Sequence, residues 1–254
     1  MYIDSHAHIN FSQFDEDRED VILRAKNADV GCIINIGIDL RTSRESIQLA
    51  EKYDLIYAAV GVHPHDAEKV KPDHWKQLEK MISHPKVVAI GELGLDFYRN
   101  YSPRDVQHQV LQRQLQLAVE TDMPIIVHTR NAWPEILEIF EGEYNGKLKG
   151  VFHCFAGDEK MAQRVLDLGF YISFTGVVTF KNSTALQVAK EIPLNRLMVE
   201  TDCPFMAPMP FRGKRCEPAY VPLIADKIAE AREIDEEVLA RQTSENVREL
   251  FGII

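Results

Sequence analysis

Tyr2-Ile3-Asp4-Ser5-His6-Ala7-His8, at the start of the chain, reads as a β-strand that begins apolar and ends in metal-ligand types. Side chains alternate along a strand, so His6 and His8 share one face while Ser5 and Ala7 take the other. Two neutral imidazoles converging at a strand end supply half of a divalent-metal site. One such pair near a terminus is equally an ordinary polar loop. Its meaning depends on how the later strands end.

Short β-branched runs recur at Tyr2-Asp4, Cys32-Ile36, Ile56-Val60, Val87-Ile90, Ile125-Val127, Val151-His153, Tyr171-Phe174 and Leu197-Glu200. They are mostly continuous in apolar residues rather than alternating, as expected when helices cover both faces of a parallel sheet. Helix signals lie between them. Val21, Ile22, Ala25 and Ala28 fall at helical spacing with Gly31 as a stop. Thr42 with Glu45 forms a capping-box pattern, and Ser102-Pro103 a cap with a first-turn proline. Further amphipathic stretches cover 159–168, 183–191 and 218–232, and Val247, Leu250 and Phe251 mark a last helix. About eight strand–helix units in alternation predict an α/β chain folded as a (β/α)8 TIM barrel, one domain over residues 1–254. An open doubly wound sheet is the competing topology. No G-x-G-x-x-G or Walker glycine loop follows the early strands to support it.

The 254 residues suit a barrel of this kind, and 45% hydrophobic with 27% charged is the composition of a globular protein. No apolar run approaches the ~20 residues of a membrane span and no signal peptide opens the chain, so a cytoplasmic protein is expected. The four cysteines, Cys32, Cys154, Cys203 and Cys216, form no C-x-x-C pair, which points to free thiols in a reducing compartment. A net charge of −10 serves solubility first and disfavours binding of nucleic acid through a broad basic face. Contact with a phosphodiester must be local, through metal ions and a few cations at one mouth.

Strand ends carry the chemistry. The first gives His6 and His8, the third runs into Gly61-Val62-His63-Pro64-His65, and the fourth into Gly91-Glu92-Leu93-Gly94-Leu95-Asp96. The fifth gives His128-Thr129-Arg130, the sixth His153-Cys154-Phe155-Ala156-Gly157, and the eighth Glu200-Thr201-Asp202-Cys203-Pro204. In a barrel all of these meet on the C-terminal face, where barrel active sites lie. His6, His8, Glu92, His128, His153 and Asp202 are too many for one tetrahedral site with an open position, and suit two ions sharing a carboxylate. Glu92 would bridge, with His6, His8 and Asp202 on one ion and His128 and His153 on the other.

These segments, together with Ala207-Pro208-Met209-Pro210-Phe211-Arg212-Gly213-Lys214, resemble the TatD family of metal-dependent deoxyribonucleases, a branch of the amidohydrolase-like barrels. The resemblance runs in order from residue 2 to about 222. It implies a TIM barrel, metal-dependent DNA hydrolysis of 3′→5′ exonuclease type, and metal ligands on the six residues above. Relatives often carry Asn where Cys216 stands, which puts any substrate contact from that position in doubt. Other barrel hydrolases bridge their metals with a modified lysine, whereas the fourth strand here delivers Glu92.

The expected reaction is two-metal hydrolysis of a phosphodiester, with Mg2+, Mn2+ or Zn2+ activating water. Asp202 would take its proton, Glu92 would hold the metals, and His63 would contact phosphate or protonate the leaving oxygen. His65, Arg130, Lys181, Arg212 and Lys214, with Arg215, would form the local basic mouth for DNA, single-stranded or at a 3′ end. Asp96 is expected to orient its loop. Cys154 and Cys203 should pack the barrel wall, and His74, His84 and His108 lie on or beside helices. A monomer is expected. A small-molecule amidohydrolase and a non-catalytic scaffold are the alternative functions.

Overall fold

The computed structural model describes residues 1–253. Eight strands follow one another around a single sheet in sequence order: β1 (Tyr2–Ala7), β2 (Val30–Ile36), β3 (Ile56–Val60), β4 (Val87–Asp96), β5 (Ile125–Arg130), β6 (Gly150–Phe152), β7 (Tyr171–Phe174) and β8 (Leu197–Val199). Every adjacent pair is parallel. The ring closes through β1 and the segment after β8. Ala7 bridges Cys203, the His8 N–H donates to the Cys203 carbonyl (2.9 Å), and the Asp202 N–H donates to the His6 carbonyl (2.9 Å). Closure is therefore made by the same residues that carry candidate ligands. The fold is a (β/α)8 TIM barrel.

Nine helices surround it among the described residues: α1 (Arg18–Asn27), α2 (Leu40–Lys52), α3 (Pro72–Ile82), α4 (Arg104–Thr121), α5 (Trp133–Glu141), α6 (Glu159–Asp167), α7 (Thr184–Glu191), α8 (Val221–Arg232) and α9 (Glu236–Phe251). α3 and α5, each opened by a first-turn proline, escaped the periodicity reading. Three boundary signals act differently from expectation. Gly31 is not a helix stop but part of β2, and Asp29 takes the left-handed turn (φ 60°). The cap of α2 is Asp39, whose carboxylate accepts the Thr42 amide (2.7 Å) while Thr42 Oγ1 accepts the Asp39 amide (3.0 Å). Ser102 makes no cap bond on α4; its hydroxyl donates to the His65 carbonyl (2.9 Å) and so ties the β3 loop to the β4 loop. The short side chain of Asp39, three residues before Thr42, closes the box that Glu45 was expected to close.

The barrel interior is packed with side chains such as Ile3, Ile34, Ile36, Val88, Ile126, Val151 and Met198, all at least nine-tenths buried. Burying each Ile or Val contributes about 1.5–3 kcal/mol. α9 lies across the N-terminal end and adds Val247, Leu250 and Phe251 to that layer. Asn246 anchors it by donating to the Leu194 and Leu197 carbonyls (2.9 and 2.7 Å). One end of the barrel is thus plugged, and only the C-terminal end is open to chemistry. No helix among the described residues is long and apolar enough to cross a membrane.

Candidate metal centre

Two register slips aim the central ligands. Between Asp4 and Ala7 on β1, and between Ile90 and Leu93 on β4, one strand advances a residue further than its neighbour. Such a bulge turns a side chain out of strict alternation. His6 and Glu92 sit in these two slips and meet above the interior layer, with His6 Nε2 3.5 Å from Glu92 Oε2.

Glu92 divides the site. Its Oε2 lies 3.5 Å from His6 Nε2 and 3.6 Å from His8 Nε2, and Asp202 Oδ1 completes that side at 3.8 and 3.5 Å from the same two nitrogens. Its Oε1 faces His128 Nδ1 and His153 Nε2, each at 2.8 Å, and His63 Nε2 at 3.4 Å. His6 and His8 present Nε2 atoms 3.1 Å apart, and His128 Nδ1 and His153 Nε2 are 3.3 Å apart. With bonds of about 2.1 Å to an ion, neighbouring donors must stand roughly 3.0–3.5 Å apart, which these do. A mixed imidazole and carboxylate set of this kind fits a divalent cation: His6, His8 and Glu92 form one compact donor group, His63, Glu92 and His128 a second, and His153 also stands close to His6 and Asp202.

The electrostatics are those of a buried cage. Burial alone would raise Glu92, but electrostatic attraction to the imidazoles of His153 and His63 and hydrogen bonds from His128 and His153 hold it well below the usual carboxylate range. Burial and the neighbouring His153 push His6 down to about 3, and burial pushes His63 down to about 4. Both rings are therefore neutral at pH 7, His6 as a ligand requires. Burial opposes a charge on His128 and His153 too, yet Asp96 and Glu92 raise the first and Glu92 and Glu200 the second. All four rings face Glu92, and the two that rise are those held at 2.8 Å from it with a second carboxylate, Asp96 or Glu200, at the other ring nitrogen.

Supporting contacts set ring orientation. His8 Nδ1 faces the Ile36 carbonyl (3.2 Å), leaving Nε2 toward the cage. Asp96 does more than shape its loop. Its Oδ1 accepts the Tyr98 and Arg99 amides, while its Oδ2 faces both His65 Nε2 (2.9 Å) and His128 Nε2 (3.2 Å). Glu200, fully buried, accepts the Cys154 amide (2.7 Å) and the Ser173 hydroxyl, and stands 3.4 Å from His153 Nδ1. Asp4 accepts two bonds from Thr201 at the root of the Asp202 loop. Carboxylates behind ligating histidines hold tautomer and angle. Sequence reasoning gave no such role to Asp4, Asp96 or Glu200. The signal available was an acid within or at the end of an otherwise apolar strand.

The other expected residues divide. His63 is buried at the site; its Nδ1 accepts the His65 amide (3.1 Å), so the neutral ring carries its proton on Nε2 and acts as a donor. His65 is held by Asp96. Arg130 stacks over Tyr98 (4.0 Å) and Arg212 over Phe180 (4.4 Å); Lys181 and Lys214 are exposed. Arg215 does not belong to a mouth open to substrate. It pairs with Asp17 (2.6 Å) and donates to the Gln13 carbonyl (2.6 Å), clasping the β8–α8 loop to the segment before α1. Cys216 is fully buried, its thiol toward the Thr201 carbonyl (3.8 Å), and packs under the Asp202 loop. Cys203 is buried in the wall, and Cys154, half-buried, lies beside Thr175.

Imidazoles and carboxylates gathered at the open end of a parallel barrel are the equipment of a metal-dependent hydrolase. Comparison with known proteins agrees. The family described as TatD related DNase matches residues 3–252. The chain is 44% identical over 254 residues, the full length of both proteins, to the uncharacterized metal-dependent hydrolase YabD of Bacillus subtilis (strain 168). It is 35% identical, over 99% of each chain, to the 3′-5′ ssDNA/RNA exonuclease TatD of Salmonella typhimurium. The crystal structure of YJJV, a TatD homologue from Escherichia coli K12, superposes with a TM-score of 0.94 at 31% identity, covering 100% of this chain and 98% of that one. This chain belongs to the TatD family of metal-dependent hydrolases.

Proposed function

We propose that the chain is a phosphodiesterase that removes nucleotides from single-stranded DNA in the 3′→5′ direction with two divalent ions. The observation that carries this reading is the division of Glu92, one oxygen toward His6 and His8 and the other toward His128 and His153. His6, His8, Glu92 and Asp202 would hold one ion, and Glu92, His128 and His153 the other. When bound, the ions polarise the phosphoryl group and acidify water, work that suits phosphodiesters. Zn2+ and Mn2+ match the donors by affinity and Mg2+ by abundance.

The protein supplies the rest. The Asp202 side chain, 12% exposed at the mouth, takes the proton of the attacking water. His63 offers Nε2–H to the leaving oxygen. Arg130, Lys181, Arg212 and Lys214 attract the backbone locally despite the acidic total. Polarity and strandedness are supported by the name of the Salmonella relative. The four unpaired cysteines support a reducing, cytoplasmic setting.

Metal content on purification, with digestion of end-labelled single-stranded DNA, tests the proposal. Glu92→Ala should remove metal-dependent cleavage by at least about 100-fold while the far-UV circular dichroism is kept. Unchanged turnover in that variant, or turnover of cyclic amides and lactones but no nucleic acid, would overturn it.

A further inference from the structure

Nine aromatic rings run in an unbroken file across the open end of the barrel. From Phe205 the file passes to Phe11 (centroids 6.4 Å apart), His8 (4.6 Å), His6 (4.9 Å) and His153 (4.0 Å). It continues through His128 (5.5 Å), His63 (4.5 Å) and His65 (4.3 Å) to Tyr101 (4.8 Å). The middle of the file is the metal cage; its ends are in solvent, with Phe205 47% and Tyr101 63% exposed.

Those ends are unusual for this chain. Among the described residues only Phe205, Tyr98 and Tyr101 are aromatic and exposed, and all three sit on the loops that follow β8 and β4. Single exposed aliphatics elsewhere need no explanation, but every exposed aromatic flanking one cleft does. Cations border them: Arg130 and Arg99 lie over Tyr98 (4.0 and 5.3 Å), and Lys214 and Arg212 follow on the Phe205 loop. Flat rings beside guanidinium and ammonium groups suit a ligand with alternating planar and anionic parts. Nucleic acid without a complementary strand is such a ligand, since each base exposes a π-face and each linkage carries a charge. A duplex hides those faces within its own stack.

We infer that Phe205 and Tyr101 are base-stacking platforms on opposite sides of the cleavage point, each holding one unpaired base. The inference rests on the phosphodiesterase reading and adds how the strand is held. It makes single-strandedness a property of the two loops rather than of the metal cage. Tyr98, under Arg130, lies on the same loop as Tyr101.

The experiment measures binding and cleavage of a fluorescent oligothymidylate of about ten nucleotides by the metal-loaded full-length protein. Phe205→Leu and Tyr101→Leu keep apolar bulk but lose the ring; Phe205→Trp and Tyr101→Phe keep it; Val119→Ala is a control on an exposed site elsewhere. Each leucine variant should bind about 5- to 100-fold more weakly and show the loss in KM rather than kcat, and the aromatic variants should restore binding. On an oligonucleotide made abasic around the scissile linkage, wild type should fall to the level of the leucine variants. If the leucine variants bind and cleave the oligothymidylate like wild type, or remain equally impaired relative to wild type on the abasic strand, the inference fails while the phosphodiesterase reading stands. If wild type binds the strand through these rings but cleaves none with any divalent ion, the platforms stand and that reading falls. A wild type that neither binds nor cleaves it overturns both.

Discussion

Asp4 and Thr201, 197 residues apart in sequence, are joined by two hydrogen bonds: the Thr201 amide donates to Asp4 Oδ1 (2.9 Å) and its hydroxyl to Oδ2 (2.5 Å). Thr201 precedes Asp202, so the seam between the first and last strands also sets where the last candidate ligand stands. The arrangement burdens stability, because burial pushes the Asp4 carboxyl up to about 8 even though the Thr201 bonds pull it down.

Asp4→Ala should therefore weaken metal binding about 10- to 100-fold, as loss of a group behind a ligand does. Asp4→Asn, whose oxygen still accepts the amide and whose NH2 can meet the hydroxyl, should keep most of it. Calorimetric titration with Mn2+ or Zn2+ separates the two. Equal losses would mean that the carboxyl group itself, and not the bonds an amide can reproduce, is what matters.

Asp96 should matter to only one side of the cage. It faces His128 Nε2 and makes no contact with His6 or His8. On the two-ion reading, Asp96→Ala should lower affinity about 10- to 100-fold for one ion and spare the other. Metal stoichiometry at limiting ion should fall from two toward one. A parallel loss of both ions would contradict the division at Glu92.

Gly94 lies on β4 at φ +147°, and a Cβ there would stand 1.8 Å from the His128 carbonyl oxygen. No side-chain rotation relieves a clash with backbone, so β4 and β5 would have to part, carrying Glu92 and His128 with them. Gly94→Ala is expected to cost about 3 kcal/mol or more and to lower both the urea midpoint and the metal affinity. A variant as stable as wild type would show that the two strands yield more easily than the packing implies.

The clasp on the β8–α8 loop carries a pH signature. Hydrogen bonds from Arg215, and a further one from Arg24, hold the Asp17 carboxyl down to about 2, below its usual 3.8. A depressed carboxylate stabilises the fold above the unfolded value and loses that contribution as pH falls through the folded one. Asp17→Asn should cost about 1 kcal/mol at pH 7, allowing for solvent screening, and the difference from wild type should vanish between pH 4 and pH 2. Urea unfolding across that range measures it; a constant difference would remove the ion pairs as its cause.

Much of the molecule was legible before its coordinates. Parallel strands covered on both faces must be continuously apolar, so the eight runs stood out, and an apolar strand that ends in His or Glu announces its working end. Helix boundaries read less well. Asp39, Thr42 and Glu45 all suit a first turn, and only backbone geometry shows which pair closes the box. Arg215 looked like its neighbours Arg212 and Lys214 because charge type does not reveal a partner, and Asp17 lies 198 residues away. Cys216 likewise gave no sign that it would be buried.

The sequence by itself determined the barrel and the identity of the residues at its open end, because both are written locally, in apolar runs and in the residue that follows each one. Tertiary structure alone decided which oxygen of Glu92 faces which histidines, that Asp4, Asp96 and Glu200 stand behind the cage, and that Phe205 and Tyr101 mark its two ends. Those relations depend on strand register and ring closure. One residue of slip on β1 or β4 turns a side chain away, and no local pattern records a slip.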